Sequence, residues 1–248
     1  MSVAVIQFPG SNCESETLSA LEKHQVSATL LDWNSTESLD EFNGFILPGG
    51  FSYQDRIRAG IIAAKLPIIQ SLIQQSEKFN KPILGICNGA QILIESGILD
   101  DTQTLNTIID FNYVSEQRIE FLSDWAFLTP FNQSKSIFLN HLSENAVLPI
   151  QVCHGEGRFI FESAPESGLN YCDITGNLST TFPTTPNGST DGVAAISNKN
   201  GNILAIMPHP ERSLNPKRYP KSIQIAADNH HYELISWDSL FSVFKDSK

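Results

Sequence analysis

One apolar segment of the chain ends in a cysteine that has a glycine two residues before it and another two residues after it. The segment reads Pro82-Ile83-Leu84-Gly85-Ile86-Cys87-Asn88-Gly89. A strand that turns sharply into a helix holds the residue at the turn in a strained backbone conformation, and side chains at the flanking second positions would collide. The pattern therefore predicts a strand, a nucleophile elbow and a helix, with Cys87 at the carboxyl end of the strand.

The helix predicted after this elbow bears on the chemistry of the thiol. Its free N–H groups and its dipole favour a thiolate over a thiol, which makes Cys87 a candidate nucleophile. A lone cysteine in a strand-to-helix turn is more often a small buried hydrophobic residue. The motif by itself leaves both interpretations open.

A second apolar segment, far along the chain, ends in a histidine between two prolines. It reads Ile203-Leu204-Ala205-Ile206-Met207-Pro208-His209-Pro210-Glu211-Arg212. Residues two apart in an extended chain point the same way, so we expect Glu211 to reach the ring of His209 and to fix its tautomer. Cys87, His209 and Glu211 would then have the roles of a catalytic triad. The alternative for His209 is a structural histidine that bonds a backbone carbonyl.

A third short apolar segment, Phe45-Ile46-Leu47-Pro48-Gly49-Gly50-Phe51, ends in a double glycine. A glycine pair lets the backbone approach a ligand closely, and backbone N–H groups there can face a developing oxyanion. We expect the N–H groups of Gly50 and Asn88 to form an oxyanion hole. Because a glycine pair is more often only a turn, this prediction depends on the other two motifs.

These motifs together resemble the class I glutamine amidotransferases, which hydrolyse the side-chain amide of glutamine and pass the ammonia to a synthetase. More narrowly, six segments in this order are similar to those of the glutaminase subunits of phosphoribosylformylglycinamidine synthase, an enzyme of purine synthesis. The segments are 8–14 (FPGSNCE), 49–55 (GGFSYQD), 85–93 (GICNGAQIL), 154–159 (HGEGRF), 186–189 (PNGS) and 207–212 (MPHPER). The elbow with its histidine and glutamate fits the whole class, whereas the joint occurrence of the six segments fits the narrower group.

The resemblance implies a mechanism for the predicted triad. Cys87 attacks the glutamine carboxamide and forms a thioester, which water then hydrolyses. His209 transfers the protons while Glu211 steadies the imidazolium. The resemblance also implies that the amide of Gln91, one helical turn past the nucleophile, helps to hold the substrate.

The resemblance further implies what else the reaction needs. The partner is the large synthetase subunit of phosphoribosylformylglycinamidine synthase, often with a small third subunit. ATP and magnesium are expected on that partner, because this sequence has no GxxxxGK[ST] phosphate loop. No cofactor and no metal ion are expected in this chain.

The chain departs from the family pattern in three places. Gln54 stands where the family usually has a glycine, and Ala90 stands where an aromatic residue commonly follows the elbow. The family's usual asparagine-serine-phenylalanine-cysteine pattern is not found in the segment 104–125. Gln54 and Ala90 do not belong to the predicted triad, and the segment 104–125 carries no family pattern from which its contact with the partner can be predicted.

Three other residues are candidates for roles in the site. Cys13 lies near a strand end but lacks glycines on both sides. His154 has glycine neighbours and no carboxylate placed as Glu211 is, so we expect a supporting, loop-shaping role for it. Three roles are open for Arg158: it binds a substrate carboxylate, it binds an acidic surface of a partner, or it forms a structural ion pair.

Charge and cysteine content limit which partners and which cellular compartment are expected for the protein. A net charge of −11, without a run of lysines and arginines, argues against a nucleic-acid groove. The four cysteines show no CxxC spacing and are expected to be reduced thiols in a cytoplasmic protein. The first apolar run has the length of a strand and lacks a basic leader, so neither secretion nor a membrane span is expected.

Short apolar runs that alternate with helical stretches predict an α/β fold with a mainly parallel open sheet covered on both faces. The resemblance makes this a flavodoxin-like amidotransferase fold with a smaller antiparallel element. We expect strands at 3–8, 28–32, 44–47, 82–86, 193–196 and 203–206, helices near 14–23, 57–65, 68–80 and 89–96, and antiparallel segments near 119–128, 147–152 and 159–161.

The domain prediction is a single amidotransferase domain over residues 1–248, with a carboxyl-terminal extension of about 213–248 packed on it. In this tail, Leu234, Trp237, Phe241 and Phe244 fall on one helical face and predict a helix docked on the core.

Two rival functions belong to other classes. One is a stand-alone thiol hydrolase of the same fold. The other is a non-catalytic binding subunit, against which the intact Cys87, His209 and Glu211 argue.

Overall fold

A nine-stranded mixed sheet forms the centre of this computed structural model, which describes residues 2–99, 106–230 and 236–245, with only the backbone of residue 230. The strands are β1 (Ser2–Gln7), β2 (Ala28–Asp32), β3 (Phe42–Leu47), β4 (Ile83–Ile86), β5 (Ile108–Phe111), β6 (Tyr113–Val114), β7 (Gln117–Arg118), β8 (Leu122–Phe131), β9 (Leu148–His154), β10 (Glu156–Ile160), β11 (Gly168–Cys172), β12 (Val193–Ser197) and β13 (Ile203–Ile206). The helices are α1 (Glu14–Lys23), α2 (Ile61–Ala64), α3 (Pro67–Phe79), α4 (Asn88–Ser96), α5 (Lys221–His230) and α6 (Asp238–Ser242).

The order of the large sheet is β2-β1-β3-β4-β13-β12-β11-β8-β9. The first five strands pair in parallel, and the remaining pairs are antiparallel. The parallel part has the order of a flavodoxin-like sheet. The predicted α/β class is confirmed, and the antiparallel strands β12, β11, β8 and β9 extend the parallel sheet. Two further two-stranded sheets pair β10 with β5 and β6 with β7.

The carboxyl ends of three central parallel strands lie level with one another. Leu47 of β3 pairs with Gly85 of β4, and Ile206 of β13 pairs with Ile86 of β4. All three strands are apolar and buried, as expected for parallel strands with both faces covered. The loops that follow them therefore start at one edge of the sheet, where open α/β sheets bind ligands.

Several predicted elements differ from those in the structure. Only α2 is helical within the predicted helix 57–65. The helix cannot begin earlier, because Ile57 has a φ of 73° and Gly60, which directly precedes α2, has a φ of 79°. The third predicted antiparallel segment, 159–161, lies at 156–160 as β10. Strand β11 is absent from the prediction. Its sequence Gly-Leu-Asn-Tyr-Cys is short and weakly alternating, and its position is fixed by pairing with β8 and β12.

The carboxyl-terminal tail packs on the core with the side chains that the pattern selected. Trp237, Phe241 and Phe244 are buried, and the Trp237 indole N–H donates a hydrogen bond to the Pro149 carbonyl at 2.8 Å. The tail is not one continuous helix, since Ser236 and Trp237 are non-helical before α6. Leu234 lies outside the described residues. That the whole chain forms a single domain stays a prediction.

Within the described ranges, no helix combines the length and the apolar character that crossing a membrane would require.

Candidate active site

The turn between β4 and α4 has the predicted elbow geometry. Cys87 has φ 50° and ψ −107°, a backbone conformation that residues with a side chain rarely adopt, and it immediately precedes α4. A Cβ atom on Gly89 would lie 1.9 Å from the Leu47 carbonyl oxygen, and one on Gly85 would lie 2.6 Å from the Gly89 carbonyl oxygen. Both glycines are therefore required by close backbone contacts, which confirms the predicted reason for them.

His209 and Glu211 form a buried pair after β13. Glu211 Oε1 lies 2.6 Å from His209 Nδ1, and the side chains are 0% and 2% exposed for the glutamate and the histidine. The predicted contact is present, although the backbone is not extended, because Pro210–Arg212 forms a 3₁₀ turn. The turn still brings the carboxylate to the ring, and it leaves Nε2 without a hydrogen-bond partner among the described residues.

The charge state of His209 follows from its neighbours. Burial by itself would lower the pKa of the imidazole, but the Glu211 carboxylate and the charge of Cys87 together raise this pKa well above 6.5. The ring is therefore held as an imidazolium beside the elbow. An imidazolium can give a proton to a leaving amine and afterwards act as a base.

Cys87 and His209 meet at the double glycine that follows β3. A Cβ atom on Gly49 would lie 2.9 Å from His209 Cε1 and 3.5 Å from Cys87 Cβ. The His209 ring and Cys87 thus lie on either side of the Gly49 Cβ position. Only glycine fits there, because a side chain would collide with the ring. The three predicted strand ends converge as the sequence pattern requires.

Cys13 also belongs to this convergence, which the sequence analysis did not predict. Its thiol is buried, lies 3.0 Å from the same Gly49 Cβ position, and accepts a hydrogen bond from Arg212 Nη2 at 3.0 Å. Cys13, His209 and Glu211 offer ligand-type atoms within 4.8 Å of one another. These donors are already engaged, since Glu211 binds the His209 ring and a guanidinium contacts Cys13. We therefore interpret the cluster as part of the triad surroundings.

The two N–H groups predicted for the oxyanion hole lie at the ends of neighbouring strands. Gly50 has a φ of 153° and follows β3, and Asn88 is the first residue of α4. Neither N–H donates a hydrogen bond to another described residue. Gly50 and Cys87 line the same cavity.

Asn88 and Gln91 are joined in a side-chain network next to the elbow. Asn88 Nδ2 donates to Gln91 Oε1 at 2.9 Å, and Asn88 Oδ1 accepts from the Ser52 N–H at 3.1 Å. Gln91 Nε2 donates to the Glu156 carbonyl at 2.7 Å. Gln91 lines the cavity, but its amide is bonded to protein at both ends. Its contact with substrate therefore stays a proposal.

His154 is buried next to the site and has a fixed tautomer. Asn112 Nδ2 donates to the His154 carbonyl, and Asn112 Oδ1 accepts from the Gly157 N–H. The amide is thus oriented with its oxygen towards the ring, so His154 Nδ1, 3.1 Å away, carries the proton. Burial, and then the charge of His209, lower the pKa of His154 to about 3. A neutral ring fits the supporting role that was expected for it.

A cavity of about 180 Å³ opens above Cys87. Glycines, aromatic rings and charged side chains surround it. Its lining residues are Gly50, Phe51, Asp55, Cys87, Gln91, Phe111, Arg118, Glu120, Phe121, Cys153, His154, Gly155 and Glu156. The size suits a small molecule, and the thiol lies at one part of the wall.

Charged residues of this cavity are absent from the predicted site. Asp55 and Glu156 occur in the segments GGFSYQD and HGEGRF, so a carboxylate inside each of these motifs was an available signal. Arg118 and Glu120 come from the divergent segment 104–125, which gave none. Arg158 is not among the lining residues. It forms an ion pair with Asp110 at 2.9 Å, which supports the structural ion pair among its three alternatives.

Comparisons with known proteins agree on one group. The family of CobB/CobQ-like glutamine amidotransferase domains matches residues 1–244. The chain is 39% identical over 240 residues to phosphoribosylformylglycinamidine synthase subunit PurQ of Methanothrix thermoacetophila, covering 89% of this chain and 91% of that protein. It is 36% identical over 221 residues to PurQ of Methanocaldococcus jannaschii, with coverages of 86% and 90%.

Among solved structures, the chain is similar to a chain in the structure of PurLQS from Thermotoga maritima. The TM-score is 0.71 at 28% sequence identity, and the match covers 93% of this chain and 98% of that chain.

Proposed function

This chain belongs to the CobB/CobQ-like glutamine amidotransferase family, and from that membership we infer that it is the glutaminase subunit of phosphoribosylformylglycinamidine synthase. It hydrolyses glutamine to glutamate and ammonia and supplies the ammonia to a synthetase subunit. The complete reaction converts formylglycinamide ribonucleotide, glutamine, ATP and water to formylglycinamidine ribonucleotide, glutamate, ADP and phosphate in de novo purine synthesis.

The observation that carries the catalytic assignment is the buried Glu211–His209 pair beside a strained Cys87. In the proposed first step, Cys87 Sγ bonds to the carboxamide carbon of glutamine and the carbonyl becomes an oxyanion. The C–N bond then breaks, and His209 gives its proton to the departing amine. In the second step, His209 takes a proton from water, whose oxygen bonds to the thioester carbon as the C–S bond breaks.

The oxyanion of both steps is proposed to bind the N–H groups of Gly50 and Asn88. Each well-placed donor of this kind contributes roughly 3 to 4 kcal/mol to stabilisation of a transition state. Gln91 is proposed to hold the substrate against the elbow helix. Its bonds to Asn88 and to the Glu156 carbonyl support a position that is fixed before substrate binds.

The partner is a synthetase subunit, which fits the similarity to a chain of PurLQS. We propose that a small third subunit joins the complex and that ATP and magnesium bind to the synthetase. The four cysteines are all free, which fits the reducing environment of the cytoplasm. The alternative of a stand-alone thiol hydrolase is not favoured, because the two relatives described above, matched over 91% and 90% of their length, are synthase subunits.

The test is steady glutamate release from glutamine by this chain, with and without its synthetase subunit. We expect low activity alone, a large rise in the complex, and none above background for Cys87→Ala. Cys172→Ala is the matched control, because burial raises the pKa of that thiol to about 12 and it does not line the cavity. Wild-type rates in Cys87→Ala would refute the assignment of the nucleophile.

A further inference from the structure

The cavity above Cys87 has a second charged region that the proposed mechanism does not use. Asp55 lies in the turn after β3, and Glu156 begins β10, so residues far apart in the chain line one small space. Neither carboxylate has an ion-pair partner within 4.0 Å among the described residues. Asp55 and Glu156 are therefore held beside the proposed nucleophile without an ion pair. Glu156 Oε2 accepts a hydrogen bond from the Ala59 N–H at 3.4 Å, and the charges of Arg118 and Arg58 partly offset the rise in its pKa.

Both side chains are partly buried, which makes this pair of acids costly. Asp55 Oδ1 is shielded from solvent and has no hydrogen-bond partner in the described chain. Burial, and then the charge of Glu156, raise the pKa of Asp55 to about 6, and burial also raises the pKa of Glu156. A buried carboxylate that lacks a partner is destabilising unless a ligand supplies the missing charge or donor.

A second polar group without a partner lines the same cavity. His154 is 3% exposed, its Nδ1 carries the proton, and its Nε2 is therefore a lone-pair acceptor without a hydrogen bond to any described residue. The cavity thus presents two buried acceptors, Asp55 Oδ1 and His154 Nε2. A ligand that is rich in N–H donors and carries a positive charge satisfies both.

We propose that Asp55, with Glu156 beside it, binds the α-ammonium group of the substrate and so selects α-amino amides over amides without an amino group. The inference rests on the proposed function, because it assumes that the substrate amide lies at Cys87. Once the amide is at the thiol, the rest of the substrate lies in a cavity of about 180 Å³ that Asp55 and Glu156 also line. An ammonium group there would neutralise the charge that Asp55 and Glu156 concentrate.

The backbone around Asp55 also makes its placement specific. Tyr53, Gln54 and Asp55 have φ values of 54°, 60° and 52°, and Ile57 has 73°. Such conformations cost free energy and persist only where the surroundings fix them. The Ser52 N–H donates to Asn88 Oδ1, so the turn that carries Asp55 is tied to the elbow helix.

The test compares glutamine with 4-carbamoylbutanoate, which is glutamine without its α-amino group. In the complex with the synthetase, kcat/KM is measured for both amides in wild type and in Asp55→Asn. We expect Asp55→Asn to raise the KM for glutamine about 10- to 100-fold, the range lost with a charge-assisted hydrogen bond, and to leave kcat nearly unchanged. The kcat/KM for 4-carbamoylbutanoate should stay within about threefold of wild type.

Glu116→Gln is the control, because Glu116 is an exposed acid that does not line the cavity. It should keep the wild-type preference for glutamine. The unfolding temperature separates binding from structure: removing an unpaired buried charge should leave it unchanged or raise it, whereas a structural carboxylate would lower it. A wild-type preference for glutamine in Asp55→Asn would overturn the proposal.

A binding measurement separates this inference from the proposed function. In a Cys87→Ala background, calorimetry gives the dissociation constants of glutamine and 4-carbamoylbutanoate, first with Asp55 intact and then with the added substitution Asp55→Asn. Amino-dependent binding that Asp55→Asn removes supports the inference even if no turnover is found. Normal turnover with equal loss of affinity for both amides refutes the inference and leaves the proposed function in place.

Discussion

Two charged regions beside Cys87, here called the thiol end and the acid end, differ in how their charges are paired. At the thiol end, the His209 imidazolium is paired with Glu211 at 2.6 Å, and the Arg212 guanidinium contacts Cys13 at 3.0 Å. At the acid end, Asp55 and Glu156 have no ion-pair partner within 4.0 Å in the described chain, and Asp55 Oδ1 also lacks a hydrogen bond, whereas Glu156 Oε2 accepts one from the Ala59 N–H at 3.4 Å. The protein thus balances internally the charges proposed to make and break bonds, and it leaves unbalanced the charges proposed to meet the substrate.

The largest expected effect comes from removing the Glu211 charge that is paired with His209 at the thiol end. Glu211→Gln keeps the shape of the side chain but removes its charge and favours the wrong tautomer of His209. We expect kcat to fall by about 10⁴-fold, as when the acid of a triad is replaced by its amide. The KM for glutamine should change little, because the acid end is untouched.

Steady-state glutamate release in the synthetase complex measures this effect. Glu166→Gln is a suitable control, since that acid forms an exposed ion pair with Lys135. A loss of less than about tenfold in Glu211→Gln would mean that the buried pair is structural and not part of the catalysis.

Crowding the point where the thiol and the ring meet should have the next largest effect. In Gly49→Ala, the new methyl group would lie 2.9 Å from His209 Cε1 and 3.0 Å from Cys13 Sγ, so the ring has to move. A displacement of about 1 Å in a catalytic group costs on the order of 100-fold in rate. We expect a loss of that size in kcat, with the affinity for glutamine retained.

Gly97→Ala is the matched control for this glycine. Gly97 has a φ of 79° and nothing within 4 Å of its Cβ position, so the substitution strains the end of α4 without crowding the site. It should cost about 1 kcal/mol in free energy of unfolding and leave kcat unchanged. An unchanged kcat in Gly49→Ala would show that the ring has room to adjust.

The residues of the thiol end could be predicted from the sequence. Cys87, His209 and Glu211 lie in short local patterns, because an elbow needs its glycines and the histidine and its acid are two residues apart. Parallel strands bring their carboxyl ends to one edge, so the convergence of these patterns follows from the α/β pattern. The predicted strands 28–32 and 203–206 agree with β2 and with β13 (Ile203–Ile206) to the residue.

The sequence offers a carboxylate in each of two motifs, but not the contact between them that forms the acid end. Asp55 and Glu156 meet only because β10 and the turn after β3 pack against the same cavity, and neither residue has a local pattern that predicts the other. The role of Cys13 is hidden from the sequence for the same reason, since its contact with Arg212 joins residues far apart in the chain. Positive φ values at Tyr53 and Asp55 are imposed by packing, as no glycine occurs there to indicate them.

A pH series distinguishes the acid end from the thiol end, because Asp55 and His209 should titrate in different pH ranges. The pKa of Asp55 is raised to about 6, so its carboxylate is lost as the pH falls from about 7 to about 5, and the KM for glutamine should rise about tenfold. The pKa of His209 is held well above 6.5, so the ring keeps its proton across this range. The other titratable groups lining the cavity are Cys87, Arg118, Glu120, Cys153, His154 and Glu156.

Steady-state kinetics of the complex between about pH 5 and 7.5 measure this dependence. Asp55→Asn should abolish the rise in KM, whereas Glu116→Gln, at an exposed acid outside the cavity lining, should keep it. His154, with a pKa lowered to about 3, stays neutral throughout and contributes no charge change. A rise in KM that persists in Asp55→Asn would assign the titration to Glu156, whose pKa is also raised.

The smallest effect is expected at Gln54, which tests whether the acid end depends on the strain of its turn or on the charge of Asp55. Gln54 is exposed, has φ 60° and ψ 29°, and accepts a hydrogen bond from Arg56 Nη2 at 2.9 Å. In Gln54→Gly, relief of the left-handed strain is offset by greater freedom of the unfolded chain. The free energy of unfolding should therefore change by less than about 1 kcal/mol.

Urea denaturation and the KM for glutamine measure the two outcomes for Gln54→Gly, and Asn80→Gly is the matched control. Asn80 has nearly the same backbone angles, φ 54° and ψ 30°, but ends α3 away from the cavity. Both variants should resemble wild type in KM, because the Ser52–Asn88 hydrogen bond still ties the turn to α4. If only Gln54→Gly raises the KM more than about tenfold, the rigidity of the turn contributes to substrate binding as much as the charge of Asp55 does.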